Sequence, residues 1–167
     1  MTDFLTKAQR SERMSRIRGR DTKPELVLRK LLHAQGLRYR LHRADLPGKP
    51  DLVFVRHKAV VFVHGCFWHR HHGCSIATTP KSNIDFWVEK FDRNVARDRR
   101  NILALQALGW RVYVVWECEL ASVMKAKAAA DRLALSIIEP SRHSGIFLSG
   151  VGHAEFLCGR PLYAASN

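Results

Sequence analysis

The sequence predicts a single α/β domain, and three observations predict it. The apolar runs 52–55 and 58–63 are separated only by Arg56 and His57, a spacing suited to an antiparallel hairpin. The second run, a helix-periodic stretch and the run 111–116 read as strand, helix, strand, which is the pattern of a parallel crossover. Cys66, His71, Cys74 and Cys118 then supply four N/S ligands, three of them within nine residues, as a structural zinc site requires. A chain of 167 residues has room for one substantial core and little for a second.

Taken in order, residues 1–20 carry Arg10, Arg13, Arg16, Arg18 and Arg20 among few apolar positions, and read as a basic arm. Thr22 and Glu25 form a capping-box pattern, Pro24 follows the cap, and Gly36 falls just past the predicted helix end. Val27, Leu28, Leu31 and Leu32 give that helix its apolar stripe. The segment 46–50, Leu-Pro-Gly-Lys-Pro, is turn chemistry, and Asp51 opens the first buried strand. His64 and Gly65 close the second strand. Trp87, Phe91, Val95, Ile102 and Leu105 recur at the spacing of one helix face, and Asp98 falls on that same face. Gly109 stops this helix, and the next strand delivers Glu117 and Cys118. An Ala-rich helix is predicted over 121–138. These boundaries place an arm at 1–20, the domain at 21–138, and a tail at 139–167 without a periodic pattern.

Twenty-eight Lys and Arg against 15 Asp and Glu leave a net charge of +13, which favours an anionic partner, with phosphate the leading candidate. No apolar run approaches the ~20 residues that span a bilayer, so no membrane role is expected. Four cysteines without a secretory apolar region predict a reducing compartment, the cytosol, where thiols bind metal more readily than they pair.

Four protein ligands would leave a zinc ion no open position, so it would support the fold and leave chemistry to another metal. His72 competes with His71 as the nitrogen ligand, and Cys158 competes with Cys118. A hard cation such as Mg²⁺ prefers oxygen; Asp51 and the backbone carbonyl of Val63 on the adjacent strand offer it. The alternative for Asp51 is a strand-end cap. His64 and His69 have the chemistry to relay protons near neutral pH. Asp98, on an apolar face, needs a partner: His69 is the candidate, with Arg93 or Arg97 the alternative. Glu25 is accounted for by its capping box alone.

Pro50-Asp51, the run 64–69 reading His-Gly-Cys-Phe-Trp-His, Phe86-Trp87, Asn94, Arg97-Asp98, Gly109-Trp110-Arg111-Val112 and the run 115–118 reading Val-Trp-Glu-Cys strongly resemble the very short patch repair endonucleases, the Vsr family. The match covers about residues 8–120. The resemblance implies a restriction-endonuclease-like fold, with a mixed central sheet flanked by helices, and Mg²⁺-dependent nicking of one strand on the 5′ side of the T in a T:G mismatch left by 5-methylcytosine deamination. It implies that Asp51 binds the catalytic metal, that His64, His69 and Asp98 surround the attacked phosphate with Glu25 as a further acid, and that Phe67, Trp68 and Trp87 wedge into the base stack. Packing in the core is the other reading of Trp87. Double-stranded DNA would be the partner, with other repair proteins, for a monomer at work on the bacterial nucleoid. Two other readings compete: a zinc-stabilised DNA-binding module without catalysis, and a related nuclease with a different target.

Overall fold

The computed structural model describes Glu12, residues 19–139 and, for the backbone, residues 147–148. The rest of the arm and of the tail, Cys158 included, lies outside the described residues.

Helix α1, Lys23–Ala34, starts where its sequence says it should. The Glu25 carboxylate reaches back to accept from the Thr22 N–H at 3.4 Å and the Thr22 hydroxyl at 2.8 Å, satisfying donors that the first turn leaves unpaired. Gly36, at φ +84, turns the chain away at the other end. A short strand β1, Arg40–Leu41, precedes β2, Leu52–Phe54, and β3, Ala59–His64. The predicted turn between β2 and β3 is a single 3-10 turn, Val55–His57, closed by Lys58 at φ +48. The long helix α2, Ile84–Ala107, leads to β4, Arg111–Trp116; a 3-10 turn, Glu117–Leu120, leads to α3, Val123–Ile138. Strand β5, Phe147–Leu148, lies within the tail.

The sheet order is β1-β2-β3-β4-β5, antiparallel across the first three strands and parallel across the last three, hence mixed. Alternation along each strand divides the core between two faces. Leu52, Phe54, Val61, Tyr113 and Val115 pack with Leu28 and Leu32 of α1 and Ala126, Ala130, Leu133 and Ile137 of α3. Val53, Val60, Phe62, Val112 and Val114 pack on the other face with Leu105 of α2 and Trp110. The result is helices on both faces of the sheet. Among the described residues, no helix is long and apolar enough to cross a membrane.

Two features of this frame position the site. Strand β3 pairs in parallel with β4 along its whole length, from Ala59 opposite Arg111 to His64 opposite Trp116, so both strands end at one level and pass their next residues to one place. Gly48, at φ +72, lets the turn before β2 press on α2: a Cβ there would fall 2.8 Å from Asn101 Nδ2.

Candidate functional site

A cleft of about 730 Å³ opens at the end of β3 between α1 and α2, and Glu25, Asp51, Val63, His64, Trp68, His69 and Asp98 all line it. Strand β3 supplies Val63 and His64, and the residue just before β2 is Asp51; the loop after β3 supplies Trp68 and His69; helices α1 and α2 supply Glu25 and Asp98. Arg20, Lys49 and Arg97 give the cleft its positive side.

Asp51 precedes β2, where the ladder to β3 has ended, and its Oδ2 accepts the Val63 N–H at 2.7 Å. The carboxylate therefore does cap the strand. Its other oxygen, Oδ1, lies 4.0 Å from His42 Nδ1. Burial pushes the Asp51 carboxyl up to about 6, with the Glu25 charge adding to the rise, and outweighs the Val63 N–H and the charges of His42 and Arg29, which act the other way. A buried acid that holds its proton this firmly is relieved by a cation.

His64 and His69 stack with ring centroids 3.9 Å apart and planes 9° from parallel. His69 Nδ1 is hydrogen-bonded to Asp98 Oδ2 at 2.5 Å, the predicted pairing, while Arg97 lies 3.7 Å from the other Asp98 oxygen, so the alternative partner is present as well. Burial works to raise the Asp98 carboxyl, but the His69 hydrogen bond and the charges of His69, His64 and Arg97 prevail and hold it below the ordinary range. An ionised Asp98 accepts, so the His69 proton sits on Nδ1 and Nε2 is left as the basic atom. Burial, reinforced by the His69 charge, lowers the His64 pKa to about 3, and His64 is neutral at physiological pH.

Behind the cleft, the partners of Glu25 escaped sequence reasoning. Glu25 is 3% exposed and Arg29 is 6% exposed. The Arg29 guanidinium donates to Glu25 Oε2 at 2.7 Å and to Asp21, and lies 3.0 Å from His42 Nε2. Glu25 is thus more than a cap. The spacing from Glu25 to Arg29, one helical turn, was a signal available in the sequence; His42, in a loop, gave none.

Beyond the cleft, Cys66, His71, Cys74 and Cys118 bring one ligand atom each to within 4.8 Å of one another. His71 Nδ1 lies 3.5 Å from Cys66 Sγ and 3.4 Å from Cys118 Sγ, close to the roughly 3.5 Å that separates ligands around a tetrahedral zinc ion. His71 also stacks on Trp116, centroids 4.2 Å apart, whereas His72 is exposed. The four residues thus have the donor chemistry and the geometry to hold a metal ion. Burial raises the Cys66 and Cys118 thiols, which a cation would have to deprotonate in order to bind. The Glu117 carboxylate accepts the Cys66 N–H at 3.0 Å and ties the loop to the residues after β4.

Beside the cleft the aromatic residues form one cluster. Phe67 meets Trp68, Phe91 and Trp87 edge-on at centroid distances of 5.0, 5.1 and 5.7 Å. Phe67 and Trp68 are half-buried, whereas Trp87, at 6% exposed, forms the floor. The Lys90 ammonium lies 5.2 Å over the Trp68 ring and 5.4 Å over the Trp87 ring. Asn94 fixes the loop by donating to the Trp68 carbonyl at 3.2 Å.

Comparison with known proteins adds to this geometry. Residues 2–75 match a family described as DNA mismatch endonuclease Vsr. A type II nicking enzyme of Xanthomonas oryzae pv. oryzae, V.XorIIP, is 49% identical over 141 residues, which cover 84% of this chain and all of that protein. The DNA mismatch endonuclease Vsr of Escherichia coli is 51% identical over 120 residues, 72% of this chain and 76% of the relative. Among solved structures, the catalytic domain of the homing endonuclease I-Bth0305I aligns with a TM-score of 0.47 at 19% identity, over 71% of this chain and 99% of that one.

Proposed function

The chain belongs to the Vsr family of DNA mismatch endonucleases, and from that premise we propose that it nicks one DNA strand on the 5′ side of the T in a T:G mismatch, in a Mg²⁺-dependent hydrolysis that begins very short patch repair. The observation that carries this reading is the convergence of Asp51, His64, His69, Asp98 and Glu25 on one cleft with an aromatic cluster at its side.

Asp51 and the Val63 carbonyl would hold the Mg²⁺. Two facts support the pair. The Val63 N–H already points at Asp51, and in an extended residue the carbonyl projects to the same edge as the N–H. Continuing the β2–β3 register sets Pro50 at that level, and proline has no N–H to claim the carbonyl. A cation held there would neutralise charge developing on the phosphate and on its leaving oxygen.

His69, held by Asp98, takes a proton from the attacking water at Nε2; the water oxygen bonds to phosphorus as the bond to the leaving sugar oxygen breaks. His64, neutral and stacked on His69, keeps that ring in its plane and adds no competing charge. Glu25 is the further acid of the site. Cys66, His71, Cys74 and Cys118 would hold a structural zinc ion that fixes the loop carrying Phe67, Trp68 and His69. Phe67 and Trp68 enter the stack with Trp87 as their support, since a wobble pair resists unstacking less than a Watson-Crick pair.

Trp68→Ala is therefore expected to cut discrimination between T:G and paired duplex by about tenfold, as loss of ~1–3 kcal/mol of stacking would. Competition cleavage of the two duplexes measures it, and unchanged discrimination removes the wedge role. The reading as a whole is tested by strand-resolved cleavage of end-labelled T:G and matched duplexes with and without Mg²⁺. Nicking confined to the T strand of the mismatch and dependent on Mg²⁺ is expected. Equal cutting of matched DNA would point to a nuclease with another target, and binding without cutting to a DNA-binding module.

A further inference from the structure

A buried guanidinium is costly unless its charge is matched, and Arg29 is matched by Asp21 and Glu25. Its Nε is buried without a partner, so the fork gives up one donor to keep its two terminal nitrogens where they are. Asp21, Glu25 and His42 offer atoms within 4.8 Å of one another, the spacing of a cation site, and the guanidinium occupies it.

The contact to His42 extends this order to Asp51. A guanidinium only donates, so His42 Nε2 accepts at 3.0 Å, the imidazole proton lies on Nδ1, and Nδ1 faces Asp51 Oδ1 across 4.0 Å. His42 makes the bridge from φ +46, a backbone conformation uncommon outside glycine.

We propose that Arg29 is a positioning residue of the Asp51 site: it is the resident positive charge of the free enzyme, holding Glu25 and, through His42, Asp51 in place while weakening the attraction of the site for a divalent cation until a DNA phosphate arrives. This rests on the reading of Asp51 as a cation ligand. Arg29 reaches Asp51 without touching it: the guanidinium meets one nitrogen of the His42 ring at 3.0 Å and the other nitrogen faces the Asp51 carboxylate, so a single imidazole separates the positive charge from the carboxylate. The cation would then enter together with its substrate, and free enzyme would hold little of it.

The test is a Mn²⁺ titration of the full chain, read by electron paramagnetic resonance. Arg29→Gln and Arg29→Met, both neutral, are expected to tighten Mn²⁺ binding by at least about fivefold, whereas Arg29→Lys stays within about twofold of wild type. A purely structural role would lower the melting temperature and leave Mn²⁺ affinity unchanged or weaker, which overturns the proposal. Wild type alone gives a second reading that needs no variant: adding duplex DNA should tighten Mn²⁺ binding by at least about fivefold, and equal affinity with and without DNA also overturns it. Asp51→Asn separates the two levels. If it abolishes Mn²⁺ binding, the ligand reading stands whatever Arg29 does; if Mn²⁺ binds as before, that reading itself fails.

Discussion

Asp51→Asn is expected to lower nicking of a T:G duplex by about a thousandfold or more, to leave DNA binding within a few-fold, and yet to raise the melting temperature at pH 7. Nicking falls because an amide is a poor ligand for a hard cation. Stability rises because the wild-type carboxyl, ordinarily near 3.8, is pushed up to about 6 by burial. A raised acid favours the folded state only while protonated: its contribution is complete below the unfolded value and is lost as pH climbs through about 6. Above that window, ionised Asp51 costs the metal-free fold about 2–3 kcal/mol, a cost that Asn does not carry. Asn Oδ1 still has the chemistry to accept the Val63 N–H. Thermal melts from pH 4 to 8, with EDTA-treated protein, should show the two proteins close together at pH 4, drawing apart as pH rises to about 6, and keeping a constant gap above it. Wild-type nicking by the variant would end the catalytic role of Asp51; a variant that melts lower at pH 7 would end the account of its burial.

The second large effect is expected at the cysteine cluster. If the cluster holds the proposed zinc ion, Cys66→Ala or Cys118→Ala should lose that metal and most folded, soluble protein, because structural zinc contributes on the order of 10 kcal/mol to the folding of small motifs. Cys118 is the informative case. It follows β4, 44 residues beyond Cys74 in sequence, so its loss frees the loop from the sheet without touching the loop itself. Nicking should fall along with metal content, since that loop carries Trp68 and His69. Metal analysis and thermal melting of the purified variant check this, and unchanged melting would rule out a structural ion.

The hairpin, the crossover and the start of α1 were legible because each rests on local chemistry: a cap, a turn or a period. The cluster of Cys66, His71, Cys74 and Cys118 was legible because three thiols and an imidazole at that spacing are the donor set that zinc takes. Asp98 was found through its cost, an acid on an apolar face, and its partner proved to be the expected His69. Strands β1 and β5 were missed because two residues carry no alternation. Arg29 and His42 were missed for a different reason. The one-turn spacing from Glu25 to Arg29 pointed to an ion pair but not to its burial, and a loop histidine shows nothing until its backbone is seen to bring it between Arg29 and Asp51.

What the sequence determined by itself, then, was the set of elements and the kinds of atom each would carry, since those follow from patterns spanning a few residues. Tertiary structure decided which atoms meet. The parallel register of β3 on β4 brings Cys118 to His71, and His71 faces inward against Trp116 where His72 does not. Packing also sank Trp87 beneath Phe67 and gave Asp51 both its strand-capping bond and its high affinity for a proton. These outcomes depend on distances between segments far apart in the chain, and a pattern of neighbouring residues carries no record of them.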